Sequence, residues 1–505
     1  MTPPFLLHHL LACNAADPAK TAIVDGARVW SYGEFGNAID RLAAALHGAG
    51  AVRGDRIAIY LPKSLEECAA IFAASRADGV FVPINPGLKA AQVRHIITDC
   101  SARVLVTSAA MQAKLGDAVD GIADIQIVLI DDLPAAAPPP PARAIGQDLA
   151  AILYTSGSTG QPKGVMLSHA NLLAGARIVR TYLDITAADR ILSLLPFSFD
   201  YGLNQLTTSV EQGATIVLAS FQFGDDIVKL LAENEITGLA GVPTIWAILT
   251  RTAPSLKRTA LPQLRYITNS GGAVPETTVR RLRELLPATR IFLMYGLTEA
   301  FRSTFLPPDE IDRRPTSIGK AIPECEVFPV TAEGRRAKPG EPGILVHRGP
   351  TVSLGYWNRP EDTARVLRPN PFRSATEGGE TVCYSGDLVT EDEDGFLFFV
   401  GREDAMIKSS GYRISPTEVE DAIMSAGGFH HVAVIGVRDE WVGQKVVAVA
   451  VAENAATLDL KAVMQQVGSQ LPAYMVPARI ELTDALPLSP NGKVDYKRLV
   501  ADRAR

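Results

Sequence analysis

The sequence predicts an α/β fold followed by a smaller α+β unit at the C-terminus. Over the first two-thirds of the chain, short apolar runs rich in β-branched residues alternate with stretches whose apolar residues have helical spacing. Such alternation is typical of parallel sheets covered by helices. Past about residue 323, short segments between Gly and Pro turns indicate antiparallel β structure, and the last part of the chain mixes strand and helix patterns.

The individual elements follow from these patterns in order along the chain. The apolar runs predict strands at residues 56–62, 104–107, 125–130 and 215–219, and amphipathic spacing predicts helices at 64–75 and 225–234. Near the C-terminus we expect helices at 416–425 and 458–470 and strands at 432–437 and 446–452. The proline-rich patch at 134–142 predicts an exposed loop or a linker.

Composition and charge narrow the class of protein. The 505 residues are enough for two to four domains, and 47% hydrophobic with 21% charged residues is typical of a globular chain. With 49 basic against 55 acidic residues and no basic stripe, we expect no nucleic-acid partner. The five cysteines are scattered without a CxxC pair, which argues against a disulfide framework and a zinc site. The chain shows no signal peptide and no run long enough to span a membrane, so we expect a cytoplasmic protein.

The most informative segment is a loop of small and hydroxyl residues that ends in a lysine. Small residues let backbone N–H groups approach phosphate oxygens, hydroxyls add donors and the lysine adds a cation. The loop is not a Walker A motif, because Pro162 replaces its second glycine and Gly164 replaces the Ser or Thr after its lysine. The residues that we expect to bind phosphate are Thr155, Ser156, Gly157, Ser158, Thr159, Gly160 and Lys163.

With the motifs below, this loop resembles the superfamily of AMP-forming adenylating enzymes, which includes acyl-CoA synthetases, adenylation domains of nonribosomal peptide synthesis and luciferases. The resemblance covers nearly the whole chain. It implies a large N-terminal domain of two helix-covered sheets plus a small β-barrel at residues 1–401, a hinge at 402–404, and a small mobile α+β domain at 405–505.

The resemblance also assigns residues to ATP and Mg²⁺. The turn of Gly271, Gly272 and Ala273 corresponds to the adenine side of the site. In the segment from Tyr295 through Gly296 to Glu299, the tyrosine stacks on adenine, Thr298 contacts phosphate and Glu299 helps hold Mg²⁺. A carboxylate suits that hard cation, which neutralises the pyrophosphate leaving group.

Five residues near the predicted domain junction and the C-terminus complete the resemblance. Asp387 is expected to grip the ribose hydroxyls, and Arg402 to lie near the ribose and phosphates. Asp404 corresponds to the hinge and Gly411 to the thiol channel. Lys493, in a Pro-Asn-Gly-Lys turn, is expected to reach the substrate carboxylate and the α-phosphate. The catalytic residues implied are Lys493, Glu299, Thr155 and Lys163.

The substrate motif carries a Phe199-Asp200 pair, which resembles amino-acid adenylation enzymes such as prolyl-AMP ligases, whose aspartate binds the α-ammonium group. Alternatively, Asp200 faces water or caps a helix. Arg302 is ambiguous, because it could neutralise Asp200, bind a second acidic group on the substrate or point away. The positions that the resemblance assigns to the acyl pocket are Phe199, Asp200, Tyr201, Asn204, Ala240, Ser270, Met294, Arg302 and Ser303.

Together these observations predict an ATP-dependent, Mg²⁺-dependent, AMP-forming ligase for a small amino or imino acid, with proline as the first candidate. We expect the acceptor to be the pantetheine thiol of a separate carrier protein, since no carrier segment follows the lysine motif; free CoA is the other acceptor. The alternatives are an acyl-CoA ligase for a fatty or aryl acid and, outside the enzymes, an inactive nucleotide-binding homologue.

Overall fold

The computed structural model describes residues 3–14, 17–122, 124–133, 139–156, 162–374, 376, 378–403, 405–409, 412–439, 443–471, 473–489 and 492–503. Its strands in chain order are β1 (Thr21–Asp25), β2 (Arg28–Ser31), β3 (Arg56–Tyr60), β4 (Val80–Pro83), β5 (Val104–Thr107), β6 (Gln126–Leu129), β7 (Leu149–Ser156), β8 (Pro162–Ser168), β9 (Arg190–Ser193), β10 (Thr215–Leu218), β11 (Gly238–Gly241), β12 (Tyr266–Asn269), β13 (Arg290–Leu297), β14 (Ala300–Leu306), β15 (Ser317–Ala321), β16 (Glu326–Val330), β17 (Gly343–Arg348), β18 (Leu367–Pro369), β19 (Thr381–Glu391), β20 (Leu397–Arg402), β21 (Ile407–Ser409), β22 (Tyr412–Ile414), β23 (Phe429–Asp439), β24 (Gly443–Ala452) and β25 (Arg479–Leu482).

The helices begin where sequence-encoded caps are available. Ser31, Ser64 and Ser168 each precede a helix, and each side chain accepts a hydrogen bond from the backbone N–H three residues on. The α-helices are α1 (Tyr32–Gly48), α2 (Leu65–Arg76), α3 (Ala90–Asp99), α4 (Ala109–Leu115), α5 (His169–Leu183), α6 (Asp200–Gln212), α7 (Gly224–Glu233), α8 (Pro243–Arg251), α9 (Glu276–Leu285), α10 (Pro360–Val366), α11 (Pro416–Ala426), α12 (Leu460–Gln470) and α13 (Tyr496–Ala501).

Two sheets form the large N-terminal part. The smaller has six strands in the order β6-β5-β3-β4-β7-β8, parallel except for the β7–β8 hairpin. In the larger, β1, β10, β9, β11, β12 and β13 are parallel. One apolar core joins the two sheets, since Ile57 of β3 and Ile216 of β10 belong to the same buried cluster as Phe72 of α2 and Leu206 of α6.

The antiparallel strands β14 to β17, β19 and β20 continue the larger sheet. The register passes from β13 to β14 and β15, then to β20, β19, β17 and β16, so that fourteen strands are hydrogen-bonded in one sheet. This continuity places the ends of β13, β19 and β20 around one region of the molecule.

The C-terminal part has its own sheet. Strands β21 to β25 form a five-stranded sheet around the long β23–β24 hairpin, with α11 and α12 packed on it through Val419, Ile423 and Val467. Strand β20 ends at Arg402 and β21 begins at Ile407. No helix in the described part of the chain is both long and apolar enough to cross a membrane.

Candidate active site

A cavity of about 1280 Å³ lies where the two sheets and the C-terminal part meet. The carboxyl ends of parallel strands are the usual place for ligand sites in such sheets. Most of the residues expected from the sequence line it, namely Thr155, Lys163, Phe199, Asp200, Gly271, Gly272, Ala273, Met294, Tyr295, Gly296, Thr298, Glu299, Asp387, Arg402 and Lys493. The expected residues Gly157, Ser158, Thr159, Gly160, Asp404 and Gly411, and the side chain of Ser156, lie outside the part of the chain that the structure describes.

A short chain of hydrogen bonds links three of these residues. The Tyr295 hydroxyl donates to Asp387 at 2.5 Å, and Arg402 Nη1 donates to the other oxygen of the same carboxylate at 2.9 Å. Asp387 and Arg402 are register partners on β19 and β20. Burial and then the Asp387 charge raise the pKa of Tyr295, so the tyrosine remains a donor. Tyr295 and Asp387, which come from two separate sequence motifs, are therefore joined by a hydrogen bond in the folded chain.

The acidic residue expected to hold Mg²⁺ has a partner that the sequence did not reveal. The Tyr356 hydroxyl donates to Glu299 Oε1 at 2.5 Å, and burial followed by the Glu299 charge raises the pKa of that tyrosine. Lys163 lies over the same ring at 5.7 Å and forms an ion pair with Asp362 at 2.8 Å. The hydrogen bond from Lys163 holds the pKa of Asp362 below its usual value.

Tyr356 and Asp362 are far from the site motifs in the sequence, and contacts made on folding bring them to the site. The backbone N–H of Met166 on β8 donates to the Gly355 carbonyl, and that of Trp357 donates to the Gly164 carbonyl, both at 2.8 Å. These bonds fix the segment that carries Tyr356 beside the β7–β8 hairpin, where Thr155 and Lys163 are register partners. No local sequence pattern marks such a contact.

Lys493 is presented by a turn near the C-terminus. Leu488 and Val494 pair across the turn, and the lysine backbone N–H donates to Ser489 Oγ at 3.2 Å. The ammonium nitrogen lies 5.3 Å from the centre of the Phe199 ring. No described carboxylate lies within ion-pairing distance of it, so its charge is available to a ligand in the cavity.

Asp200 is the first residue of α6 and is only 6% exposed. Its position in the first turn is favourable for a carboxylate, because the helix dipole is positive there. It makes no ion pair with Arg302 or any other described residue, so the arginine does not neutralise it. A carboxylate this buried, at the wall of the cavity and without a cationic partner, is suited to a cationic group on a ligand.

The other acyl-pocket positions divide into two groups. Tyr201, Asn204, Ala240 and Met294 line a second cavity of about 20 Å³, and Met294 borders both cavities. Ser270, Arg302 and Ser303 line neither, and the Ser303 hydroxyl donates to the Ala300 carbonyl instead. Arg302 nevertheless lies against this region, with its guanidinium carbon 4.3 Å from the centre of the Tyr201 ring.

The residues present fit a magnesium ion that is held together with a polyphosphate. Within the described residues there is no cluster of three or more metal-ligating His, Cys, Asp or Glu side chains. Mg²⁺ usually binds through one or two carboxylates plus substrate phosphates rather than in an all-protein cage. Glu299 and the preceding Thr298 both line the cavity and carry oxygen atoms that suit such a site.

Comparison with known proteins now places the chain. The model of the AMP-binding enzyme family matches residues 11–357, and that of the AMP-binding enzyme C-terminal domain matches residues 418–493. The chain belongs to the AMP-binding enzyme family. Its members use ATP, Mg²⁺ and a thiol acceptor, and the chain is accordingly an AMP-forming acid–thiol ligase.

Individual relatives of this AMP-forming ligase differ in acid and acceptor. The chain is 34% identical over 516 residues to the L-proline–[L-prolyl-carrier protein] ligase of Streptomyces coelicolor, covering 97% of this chain and 95% of that protein. It is 32% identical over 504 residues to the indoleacetate–CoA ligase of Aromatoleum aromaticum, covering 96% of each. The crystal structure of ATP-bound MatB from Rhodopseudomonas palustris superposes with a TM-score of 0.89 at 28% identity, covering 99% of each chain. The predicted superfamily, fold class and type of enzyme are confirmed.

Proposed function

We propose that this ligase activates a small amino or imino acid, with proline as the first candidate, and transfers it to the pantetheine thiol of a separate carrier protein. The observation that carries the proposal is Asp200. It is buried beside the cavity, and no described cation offsets its charge. An α-ammonium or imino group in the substrate would supply that cation and offset the cost of desolvation.

In the first half-reaction, an oxygen of the substrate carboxylate attacks the α-phosphorus of ATP. A P–O bond forms, the bond to the β-phosphate oxygen breaks, and the products are the acyl-adenylate and pyrophosphate. Lys493 binds the carboxylate and the α-phosphate, Tyr295 stacks on adenine, and Asp387 accepts hydrogen bonds from the ribose hydroxyls. Held by Glu299, Mg²⁺ would neutralise charge on the phosphates.

In the second half-reaction, the thiol sulfur attacks the acyl carbon of the adenylate. A C–S bond forms, the C–O bond to AMP breaks, and the thiol proton is released. We expect the C-terminal domain to pivot at residues 402–404 between the half-reactions, which withdraws Lys493 and admits the pantetheine arm along Gly411.

The test is ATP–pyrophosphate exchange over a panel of the twenty amino acids and of fatty and aromatic acids. We expect one amino or imino acid to drive exchange and the plain acids to fail. Asp200→Ala should then lower kcat/KM for that amino acid by about a hundredfold or more, because the buried polar site loses its charged partner. Asp225→Ala, on the exposed start of α7, is the matched control. Exchange driven by plain acids and unaffected by Asp200→Ala would overturn the proposal.

A second candidate is an acyl-CoA ligase, which the likeness to the indoleacetate–CoA ligase favours. The acceptor is decided by presenting the preformed adenylate with either free CoA or a phosphopantetheinylated carrier protein and following AMP release. Rapid release with the carrier protein supports the proposal, whereas equal or faster release with CoA supports the second candidate.

A further inference from the structure

Arg302 is the most unusual residue next to the acyl pocket. It is 2% exposed, and neither its Nε nor its Nη2 has a hydrogen-bond partner among the described residues. No described carboxylate forms an ion pair with it. An arginine keeps its charge at every physiological pH, so leaving it buried and uncompensated is costly. The rings of Tyr201 and Phe301, 4.3 and 5.5 Å from the guanidinium carbon, offset part of this cost, and a bound anion would offset more of it.

The backbone explains how Arg302 reaches this place. Pairing between β13 and β14 is interrupted after Tyr295↔Thr304 and resumes at Leu297↔Ala300. Arg302 lies in the bulge between these pairs with φ of 61°, a conformation that non-glycine residues seldom adopt. A Cβ on Gly296 would lie 3.0 Å from the arginine backbone, so the glycine permits this close approach. Bulges of this kind re-aim a side chain, and this one aims the guanidinium over Tyr201.

The polar face of α6 points into the same region. Asn204 and Thr208, four residues apart on one face of the helix, line the 20 Å³ cavity together with Gln205. Asn204 Nδ2, Thr208 Oγ1 and both amide atoms of Gln205 are buried without hydrogen-bond partners among the described residues. The cavity has room for about one water-sized group, such as one oxygen atom of a carboxylate. These three side chains share the small cavity with Tyr201 and with Met294, which also borders the larger cavity, and Arg302 lies over the Tyr201 ring.

We propose that Arg302 and the polar face of α6 bind a carboxylate at the far end of the substrate, so that the activated acid carries a second acidic group. A carboxylate is compact and accepts several hydrogen bonds, which matches one guanidinium, two amides and a hydroxyl. The inference rests on the proposed function above and narrows its substrate to an amino acid with a short acidic side chain. Proline would satisfy Asp200 but leave Arg302 without an anion.

The experiment compares acids that differ only at the far end. Exchange is measured for the wild-type chain with glutamate against norvaline, aspartate against 2-aminobutyrate, proline, and glutarate, which is glutamate without its amine. We expect kcat/KM for one diacid to exceed that for its neutral match by on the order of a hundredfold. Arg302→Met should reduce this ratio to a few-fold, and Arg302→Lys should keep part of it. Arg177→Met, at an exposed arginine of α5, should leave it unchanged.

Thermal unfolding without ligand separates recognition from packing. Removing an uncompensated buried charge should raise the Tm of Arg302→Met, and the preferred diacid should raise the Tm of the wild type but not that of the variant. A lower Tm with an unchanged substrate ratio would mean that the guanidinium only packs on Tyr201, and the inference would fail.

The outcomes also distinguish this inference from the proposed function. If neutral amino acids or proline are used as well as the diacids, by both wild type and Arg302→Met, the inference fails and the proposed function stands. If a dicarboxylic acid without an amine is preferred, the role of Arg302 is supported and that of Asp200 fails. If no acid in the panel drives exchange, both fail.

Discussion

Lys493 differs from two other cations of the cavity in having no ionic partner among the described residues. Lys163 is held by Asp362, and Arg402 is held by Asp387. A cation that is already paired contributes little new charge to a ligand, because binding must first replace its partner. Lys493 also sits on a turn of the C-terminal part, so its position depends on how that part is placed.

We predict that Lys493→Ala lowers ATP–pyrophosphate exchange by about 10²–10³-fold, since it removes a positive charge that would stabilise the developing transition state. Thiol transfer from preformed acyl-adenylate should change less than about threefold, because in the proposed mechanism the lysine acts only in the first half-reaction. Lys461→Ala, on the exposed start of α12, serves as the control. Equal loss of both half-reactions would contradict the division of labour proposed here.

At the scale of elements, the N-terminus of α6 carries Phe199 and Asp200 into the cavity through a close backbone contact. A Cβ on Gly202 would lie 2.2 Å from the Pro196 carbonyl oxygen. The helix therefore packs directly on the loop that precedes it, and only a glycine allows this.

We predict that Gly202→Ala displaces this loop and raises the KM for the acid by about tenfold, with a smaller effect on the KM for ATP. Overpacking of this kind costs about 1–3 kcal/mol. Gly36→Ala is a matched control, because a Cβ there meets no atom within 4 Å inside α1. That variant should be about 0.5–1 kcal/mol more stable with unchanged kinetics. An unaltered KM for the acid in Gly202→Ala would show that the contact does not position Asp200.

Glu420 links α11 to two other elements of the C-terminal part. Its Oε1 accepts the backbone N–H of Val434 on β23 at 2.7 Å and the hydroxyl of Tyr496, at the start of α13, at 2.9 Å. Burial raises the pKa of this carboxyl from 4.5 to about 7. Because the folded state holds the proton more tightly, the stability that this group contributes is present below pH 4.5 and is lost as the pH rises to about 7.

We predict that Glu420→Gln, which keeps an acceptor oxygen, removes this dependence. The difference in unfolding free energy between wild type and variant should fall between pH 4.5 and about 7 and then stay constant. Its span should be less than about 3 kcal/mol, because the side chain retains some solvent contact. Denaturant unfolding of both proteins from pH 4.5 to 8 measures this difference. A flat difference would refute the raised pKa.

Sequence patterns predicted the helices and strands well, because their apolar spacing is a local signal. They did not predict contacts between residues that are far apart in the sequence. The strand expected at 104–107 is β5 as observed, and the helices expected at 64–75 and 225–234 shift by one residue. The continuity of the antiparallel strands with the larger sheet was not predicted, because the pairing of β15 with β20 joins residues far apart in sequence. Tyr356 was missed for the same reason. The chemistry of glycine-rich and acidic motifs can be recognised from a short stretch of sequence. The role of a tyrosine that donates to Glu299 becomes visible only in the folded structure.

On the scale of the whole molecule, one contact fastens the C-terminal part to α8. Arg251 Nη1 donates to the Phe429 carbonyl at 2.8 Å and lies 3.0 Å from His430 Nδ1. Both partners begin β23, in the same unit that carries Lys493. The contact therefore favours the arrangement in which the lysine faces Phe199.

We predict that Arg251→Ala slows adenylate formation by about tenfold, corresponding to the loss of one or two charge-assisted hydrogen bonds. Thiol transfer from preformed adenylate should be unchanged or faster, since the contact belongs to the arrangement in which Lys493 faces Phe199, which the proposed mechanism uses only for adenylate formation. Measuring both half-reactions in Arg251→Ala and in Arg258→Ala, a neighbouring arginine outside the contact, tests this. Slowing of both steps alike would mean that Arg251 stabilises the fold rather than one arrangement.

The hydrogen bonds from Tyr295 and Arg402 to Asp387 bear on how the spent nucleotide departs. A ribose that binds Asp387 must exchange with partners the carboxylate already has, so much of its interaction energy is a substitution rather than a net gain. When AMP leaves, Asp387 regains these hydrogen bonds, so its carboxylate is not left buried without partners. If the ribose binds Asp387 as proposed, we therefore expect AMP to dissociate faster than it would from a carboxylate that has no other partners.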